Sequence, residues 1–324
     1  MTAKDALNLV KEDVEKVEQF LKDDIKTSVH LINEVILYLL SSGGKRLRPV
    51  FLALSARMCG YKGENIPAMS AVIEYIHTAT LLHDDIIDGA KYRRKCPTAN
   101  SLYGNDVAVL CGDFLYSRSY ITLTEYGAKQ VQMILSSAAL TMSEGEVIQL
   151  LKTGDINLTF DDYIQIITRK TAVLFSAACE IGGRLAEVSE DKIKALKNFG
   201  YYLGLGFQMT DDILDYMGNP EITGKKNGTD LFEGKLTLPV IKTLEKTNDS
   251  EKNIIAEIFK KKERNDDDLK VLKDIMIKYD IEKISEKTAD EYINKSLNSL
   301  NVFEDNDYRK ALIALALAMV GRIA

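Results

Sequence analysis

The sequence predicts an all-α fold. Three observations carry that expectation. Pro97 and Pro220 bracket a long stretch with no proline, that stretch is rich in Leu, Ile, Ala, Lys and Glu at helical spacing, and no segment sustains the alternation of a half-buried strand. The chain has 324 residues, a hydrophobic fraction of 46% and no Gly/Ser/Pro linker, which is enough for a sizeable core and predicts a single domain over residues 1–324.

The elements follow in order. From Lys4 to Lys26, acids, bases and apolar residues alternate like an amphipathic helix, without the uninterrupted apolar core of a signal peptide. Asp23-Asp24 sit there between Lys22 and Lys26, as on a solvated helix. Next, Gly43-Gly44-Lys45-Arg46-Leu47-Arg48-Pro49 crowds three cations into four positions beside paired glycines. It reads either as a phosphate site or as a solvated basic turn before a helix beginning near Pro49. Ile134, Ala138, Leu140, Val147, Ile148 and Leu151 mark a later helix. Thr159 with Asp162 forms a capping-box start before Tyr163-Ile164, and Asp266-Asp267-Asp268 precede Leu269 and Val271 in the same way. The polar stretch from Glu245 to Asp268 reads as a surface connection. The longest apolar run, Ala311 to Val320, is far short of the roughly 20 residues that span a bilayer.

Two stretches stand out: Asp84-Asp85-Ile86-Ile87-Asp88 and Asp211-Asp212-Ile213-Leu214-Asp215 repeat one carboxylate pattern about 127 positions apart, each within an apolar run. On a helix, side chains four apart share a face, so Asp84 stacks on Asp88 and Asp211 on Asp215, while Asp85 and Asp212 lie about 100° round. Like charges at that spacing repel, and a partly dry setting makes unpaired carboxylates costly. A hard divalent cation removes the conflict. Mg²⁺ or Mn²⁺ suits oxygen-only ligands, and Mg²⁺ typically takes one or two carboxylates, keeps waters and completes its shell with substrate phosphates. Two such sets facing each other would trap a diphosphate. The other acidic pairs lack the third aspartate at the fifth position, and the capping and solvated-face explanations suffice for them. Cations follow each motif: Lys91, Arg93 and Arg94 after the first, Lys225 and Lys235 after the second. Arginine grips phosphate bidentately and lysine acts as a point charge. Lys170-Thr171 and Gln208 are further polar residues embedded in apolar helix.

The net charge of −6 argues against a nucleic-acid partner, which needs a basic face. The four cysteines, Cys59, Cys96, Cys111 and Cys179, show no C-x-x-C spacing, which favours a reducing compartment, with cytoplasm the expectation.

Taken together these motifs resemble the trans-type (E-type) polyprenyl diphosphate synthases along nearly the whole chain, in the long-chain branch that includes octaprenyl and heptaprenyl diphosphate synthases. The match runs through Gly43 to Pro49, Ile76-His77-Thr78-Ala79-Thr80-Leu81-Leu82-His83 into the first aspartate motif, and Arg93-Arg94 with Pro97-Thr98. It continues through Gly112-Asp113-Phe114-Leu115-Tyr116, Gly145-Glu146-Val147-Ile148-Gln149, Lys170-Thr171-Ala172, Gly206-Phe207-Gln208 with the second motif, and Gly224-Lys225 to Pro239. The resemblance implies an isoprenoid-synthase-type helical bundle around a deep central cavity, usually a homodimer. Such an enzyme uses two or three Mg²⁺ ions, or Mn²⁺, to elongate an allylic diphosphate with isopentenyl diphosphate. Asp84, Asp88 and Asp211, with Asp85 and Asp215, would hold the metals, and Asp212 and Lys170 join them as expected catalytic residues. Lys45, Arg48, His77 and Arg94 would hold isopentenyl diphosphate; Arg93, Lys170, Thr171, Gln208, Lys225 and Lys235 would hold the allylic diphosphate. The family has no conventional side-chain base, and the departing diphosphate takes the proton.

The family's chain-length rule concerns Thr80 and Ala79, four and five positions before the first aspartate. Small residues there imply an open tunnel and a product of about 30 to 50 carbons, with the floor set deeper by Leu123, Met133 or Leu135, since bulk added to a packed wall closes it. Such a chain has no transmembrane segment and would contact a membrane surface only to release product. The sequence departs from the family at Lys95-Cys96, where Gly-Lys is common, and at Gly321-Arg322-Ile323-Ala324, a short and weakly basic tail. A class I terpene cyclase would share the first aspartate motif but lack the second and the Gly-Gly-Lys-Arg segment. A non-catalytic subunit would have lost aspartates or basic ligands. A short-chain synthase, or a catalytic subunit inactive without a partner, remains an alternative.

Overall fold

The structure, a computed structural model, describes residues 1–41, 44–93, 96–218 and 227–321. Gly43, Arg94, Lys95, Pro220, Gly224, Lys225 and the tail from Arg322 to Ala324, all named above, lie outside the described residues. The helices are α1 (Ala3–Leu9), α2 (Lys11–Asp24), α3 (His30–Ser41), α4 (Leu47–Met58), α5 (Ile66–Ile87), α6 (Ala99–Tyr103), α7 (Asn105–Tyr126), α8 (Lys129–Lys152), α9 (Phe160–Ile167), α10 (Val173–Leu185), α11 (Glu190–Met217), α12 (Thr229–Glu233), α13 (Leu238–Lys246), α14 (Asp249–Lys260), α15 (Asp266–Lys278), α16 (Ile281–Ser299) and α17 (Asp307–Val320). Among the described residues the only sheet is an antiparallel hairpin of β1 (Tyr92–Arg93) and β2 (Cys96–Pro97), with Arg93 opposite Cys96. The all-α expectation holds.

The chain divides into two compact units. The first comprises Met1–Ala139, Leu174–Gly200 and Ser299–Leu315; the second comprises Leu140–Val173, Tyr201–Asn298 and Ala316–Ala324.

In the first unit α5 is the organising helix. Pro67 begins it where a missing N–H costs nothing, and it is buried from Ile66 to Ala79 on nearly every side, packing on α2, α4 and α7. Val17 and Leu21 of α2, Tyr75 and Leu82 of α5, and Leu115 of α7 share one apolar cluster. Each fully buried large side chain contributes about 1.5–3 kcal/mol, so this cluster outweighs any surface ion pair in the unit. Asp24, expected on a solvated face, is instead turned inward at the end of α2. It accepts from Tyr75 Oη at 2.9 Å, Thr122 Oγ1 at 2.9 Å and Arg118 Nε at 2.9 Å, and also from Arg118 Nη2.

The second unit buries Tyr163 and Ile167, Met209 and Ile213, and Leu238 and Ile258 in one core. The capping box expected at Thr159 is present, with Thr159 Oγ1 accepting from the Asp162 N–H and Asp162 from the Thr159 N–H, both at 3.1 Å. The start at Asp266 is likewise boxed by Asn265 and Asp268. The expected surface connection from Glu245 to Asp268 is corrected: most of it is helix. Asn248 caps α14 by accepting from the Glu251 N–H, and Ile255, Ile258 and Phe259 are buried at helical spacing beneath the charges. On α8, Ala138 is buried, but Leu140, Val147 and Leu151 are 63%, 57% and 78% exposed, so those three are not core. No helix among the described residues is long and apolar enough to cross a membrane.

Burial pushes the Asp24 carboxyl up, but the donors from Arg118, Thr122 and Tyr75 outweigh it and hold it below 3.8. A depressed carboxylate adds stability at neutral pH that is lost as pH falls through its folded value. Asp24→Asn should therefore cost about 3 kcal/mol near neutrality, because it leaves Arg118 without its counter-charge. The gap between the melting temperatures of the two chains should close as pH drops below 3.8. A gap that stays constant with pH would contradict the assignment.

Candidate active site

The first aspartate motif closes α5. The Asp88 N–H donates to the Asp84 carbonyl at 2.8 Å, so the last turn is intact and Asp84 and Asp88 share its face, both half-buried. Asp85 points the other way. Its side chain is 4% exposed, and its Oδ1 accepts from Arg93 Nε at 2.9 Å and Nη2 at 2.7 Å. The hairpin that carries Arg93 is fixed at its base, since Thr98 Oγ1 donates to the Ala90 carbonyl and Tyr38 Oη to the Pro97 carbonyl, each at 2.7 Å. Asp85 thus orients an arginine.

The other predicted residues of this unit lie on α4, α5, α7, α8 and the segment before α4. Lys45 is exposed just before α4, and Arg48 lies in its first turn, its guanidinium carbon 4.6 Å from the centre of the Phe175 ring. That cation–π contact braces the side chain. His77 sits one turn above Thr80 on α5, half-buried. Ala79 is fully buried, whereas Thr80 is half-buried and its hydroxyl donates to the His77 carbonyl at 2.8 Å. Leu123 and Leu135 are buried at 3% and 0%. Met133, expected as a floor residue with them, is 61% exposed on α8.

In the second unit the second motif lies in the last turns of α11. Asp211 is exposed, and Asp212 is buried. Asp212 accepts from Tyr163 Oη at 2.6 Å and from Gln208 Nε2 at 2.8 Å, while Gln208 Oε1 accepts from Thr171 Oγ1 at 2.8 Å. Three expected site residues are thereby joined in one relay. Asp215 accepts the Thr229 and Asp230 N–H groups at 3.2 and 3.1 Å, one on each carboxylate oxygen, and so starts α12. Burial pushes the Asp212 carboxyl up to about 7, with Asp211 and Asp215 adding to the rise against the bonds from Tyr163 and Gln208. Burial, with Asp215 and Asp212 nearby, also raises Asp230.

Lys170 and Thr171 lie in a π-helical turn, Thr168–Ala172, between α9 and α10. Such bulges re-aim side chains within a helix. Two glycines admit it: a Cβ at Gly145 would meet Arg169 Cβ at 2.5 Å, and one at Gly204 would meet Ala172 Cα at 2.5 Å. The Lys170 ammonium reaches Glu146 of α8 at 2.7 Å, and Lys235 reaches Glu233 at 2.7 Å. Sequence reasoning assigned no role to Tyr163, Glu146, Asp230 or Glu233. Glu146, Asp230 and Glu233 each had a signal, as acids inside recognised motifs; Tyr163 had none beyond its place after a capping box.

The donor sets suit Mg²⁺. Among the described residues no three His, Cys, Asp or Glu side chains converge into a ready-made ligand set. A metal that keeps its waters and takes one or two carboxylates needs no more than the solvent-reached aspartates Asp84, Asp88 and Asp211. The mutual upward push on the second unit's carboxyls is the electrostatic conflict that a cation relieves. The expected ligand roles of Asp85 and Asp215 draw no support from their contacts, which hold Arg93 and α12.

The family model described as polyprenyl synthetase matches residues 29–276. The chain is 37% identical over 314 residues to the octaprenyl diphosphate synthase of Escherichia coli strain K12, across 97% of both chains. It is 34% identical over 317 residues to heptaprenyl diphosphate synthase component 2 of Geobacillus stearothermophilus, across 98% of both. The solved structure of a decaprenyl diphosphate synthase from Rhodobacter capsulatus superposes with a TM-score of 0.95 at 36% identity, covering 99% of both chains.

The Tyr163 bond stabilises the charged form of Asp212, so its worth is full only above the pH where Asp212 ionises. With metal chelated, Tyr163→Phe should cost about 1.5–3 kcal/mol in urea unfolding near pH 8.5 and distinctly less near pH 5.5, on either side of a carboxyl at about 7. A larger cost at the lower pH would refute the relay.

Proposed function

The chain belongs to the polyprenyl synthetase family and is a prenyltransferase, and on that premise we propose that it elongates farnesyl diphosphate by successive head-to-tail trans condensations with isopentenyl diphosphate, giving a long-chain product. The carrying observation is that each aspartate motif has its middle carboxylate tied to protein, Asp85 to Arg93 and Asp212 to Tyr163 and Gln208. Asp84, Asp88 and Asp211 are the residues we assign to Mg²⁺. When bound, the ion neutralises charge that develops on the leaving diphosphate.

The protein's own part is electrostatic and steric. Arg93, Lys170, Thr171, Gln208 and Lys235 bind and orient the allylic diphosphate, with Lys225 assigned by its motif. Cations set where charge appears on bond breaking stabilise the transition state more than the ground state. Lys45, Arg48 and His77 hold isopentenyl diphosphate, with Arg94 assigned in the same way. Apolar walls keep water from the allylic cation. The product class rests on the long-chain relatives and on the small side chains Ala79 and Thr80.

Exposed apolar residues suit a homodimer: Val109, Leu110, Tyr120 and Ile121 on α7, and a stripe of Met133, Leu140 and Val147 on α8. The cysteines are free thiols, which fits the cytoplasm. A second reading, favoured by the likeness to a protein named as component 2, makes the chain a catalytic subunit that works only with a partner.

Purified chain incubated with farnesyl diphosphate, radiolabelled isopentenyl diphosphate and Mg²⁺ should yield a ladder reaching about 30 carbons or more, and Thr80→Tyr should shorten it by raising the floor. A ladder stopping at about 15 to 20 carbons would contradict the open tunnel. No incorporation would favour the two-component reading.

A further inference from the structure

The segment Gly44-Lys45-Arg46-Leu47-Arg48-Pro49 contains a backbone anomaly at its centre. Arg46 has φ 44° and ψ 39°, the left-handed region that side chains bearing a Cβ avoid. It stands at the N-cap of α4, where Ser, Thr, Asp or Asn in extended backbone is the ordinary choice, and it makes no side-chain cap. The other non-glycine residues at positive φ among the described residues, Glu187 and Asp280, are exposed. Arg46 is not, its side chain being 10% exposed.

All three arms of its guanidinium are engaged. Nε donates to Glu18 Oε1 at 2.6 Å, Nη1 to Glu74 Oε2 at 2.8 Å and Nη2 to the Leu40 carbonyl at 3.2 Å. Glu74 is itself 5% exposed. The burial and the bonds face inward, so Arg46 is not the cation that meets a ligand. Its neighbours are: Lys45 precedes it, and its own carbonyl accepts the Val50 N–H at 2.9 Å, which starts the turn that carries Arg48. Glu74 lies one turn before His77 on α5, the helix that ends in the first aspartate motif.

From this geometry we infer that Arg46 is a positioning residue for isopentenyl diphosphate. The Arg46–Glu74 and Arg46–Glu18 bonds hold a left-handed kink that sets Lys45 and Arg48 at fixed places relative to His77. Strain kept by buried bonds beside a ligand-binding segment is the pattern of a preorganised site. The planar fork is required, because a lysine offers one point charge and cannot span two carboxylates and a carbonyl in fixed directions. The inference rests on reading Lys45 and Arg48 as ligands of isopentenyl diphosphate.

The test uses Arg46→Lys, which keeps the charge and loses the fork, and Glu18→Gln, which weakens only the more exposed partner. Isopentenyl diphosphate is titrated calorimetrically into each folded full-length chain, and KM is measured for both substrates on the same preparations. Arg46→Lys should weaken isopentenyl diphosphate binding and raise its KM about tenfold, with the allylic KM within about twofold and kcat little changed; Glu18→Gln should move the same quantity about two- to threefold. An equal loss for both substrates, or unchanged isopentenyl diphosphate affinity in a folded variant, overturns the proposal. Should Arg46→Lys fail to fold, Glu18→Gln decides by the same criterion. If the unmodified chain binds no isopentenyl diphosphate, the assignment of Lys45 and Arg48 falls and this proposal with it. If the unmodified chain binds and the variants match it, only the role of Arg46 falls.

Discussion

Three carboxylates within five positions of one partly buried helix are an unstable arrangement, and everything near each aspartate motif answers to that constraint. Two unit charges about 5–6 Å apart repel by about 3 kcal/mol at an effective dielectric near 20, as much as a charge-assisted hydrogen bond returns. Each motif gives its middle carboxylate to the protein, Asp85 to the Arg93 fork and Asp212 to Tyr163 and Gln208. The second motif also spends Asp215 on the N–H groups that open α12. The residual strain shows in Asp212, pushed up to about 7 by burial first and by its neighbours second. On the proposed reading, a divalent cation at Asp84, Asp88 and Asp211 would relieve the repulsion.

The cations are governed by the converse rule. Lys170 is held by Glu146, Lys235 by Glu233, Arg93 by Asp85 and Arg48 by the face of Phe175. Most of these side chains are largely buried, so removing one partner would leave a charge uncompensated. On the proposed reading, these contacts fix where positive charge stands before a diphosphate arrives, which leaves little reorganisation for the reaction itself. The π-helical turn at Thr168–Ala172 serves the same end through the backbone, at a place where Gly145 and Gly204 leave room for it.

Features that depend on local spacing were legible in the sequence. The aspartate motifs, the capping box at Thr159, the helix start at Asp266-Asp267-Asp268 and the all-α class each follow from residues within one or two turns of one another. Features that depend on partners far along the chain were not. Asp24 looked solvated because Tyr75, Arg118 and Thr122 stand 51 to 98 positions away, and Tyr163 is 49 positions from Asp212. The helix α14 was hidden by its own charges, which cover a buried face of Ile255, Ile258 and Phe259. The exposure of Met133 was not foreseeable, because an apolar residue on a helix has two destinations, core or an exposed apolar face, and periodicity alone does not separate them. The kink at Arg46 had no signature, since left-handed backbone is foreseen at glycine and seldom at arginine.

The division of labour within each motif can be seen directly by diffraction from crystals grown with Mn²⁺ and a non-reactive allylic diphosphate analogue, recorded at the manganese absorption edge. Anomalous peaks should lie within bonding distance of Asp84, Asp88 and Asp211 carboxylate oxygens, while Asp85 stays on Arg93 and Asp212 on Tyr163. A peak ligated by Asp85 or Asp212, with the Arg93 or Tyr163 bond broken, would contradict the account.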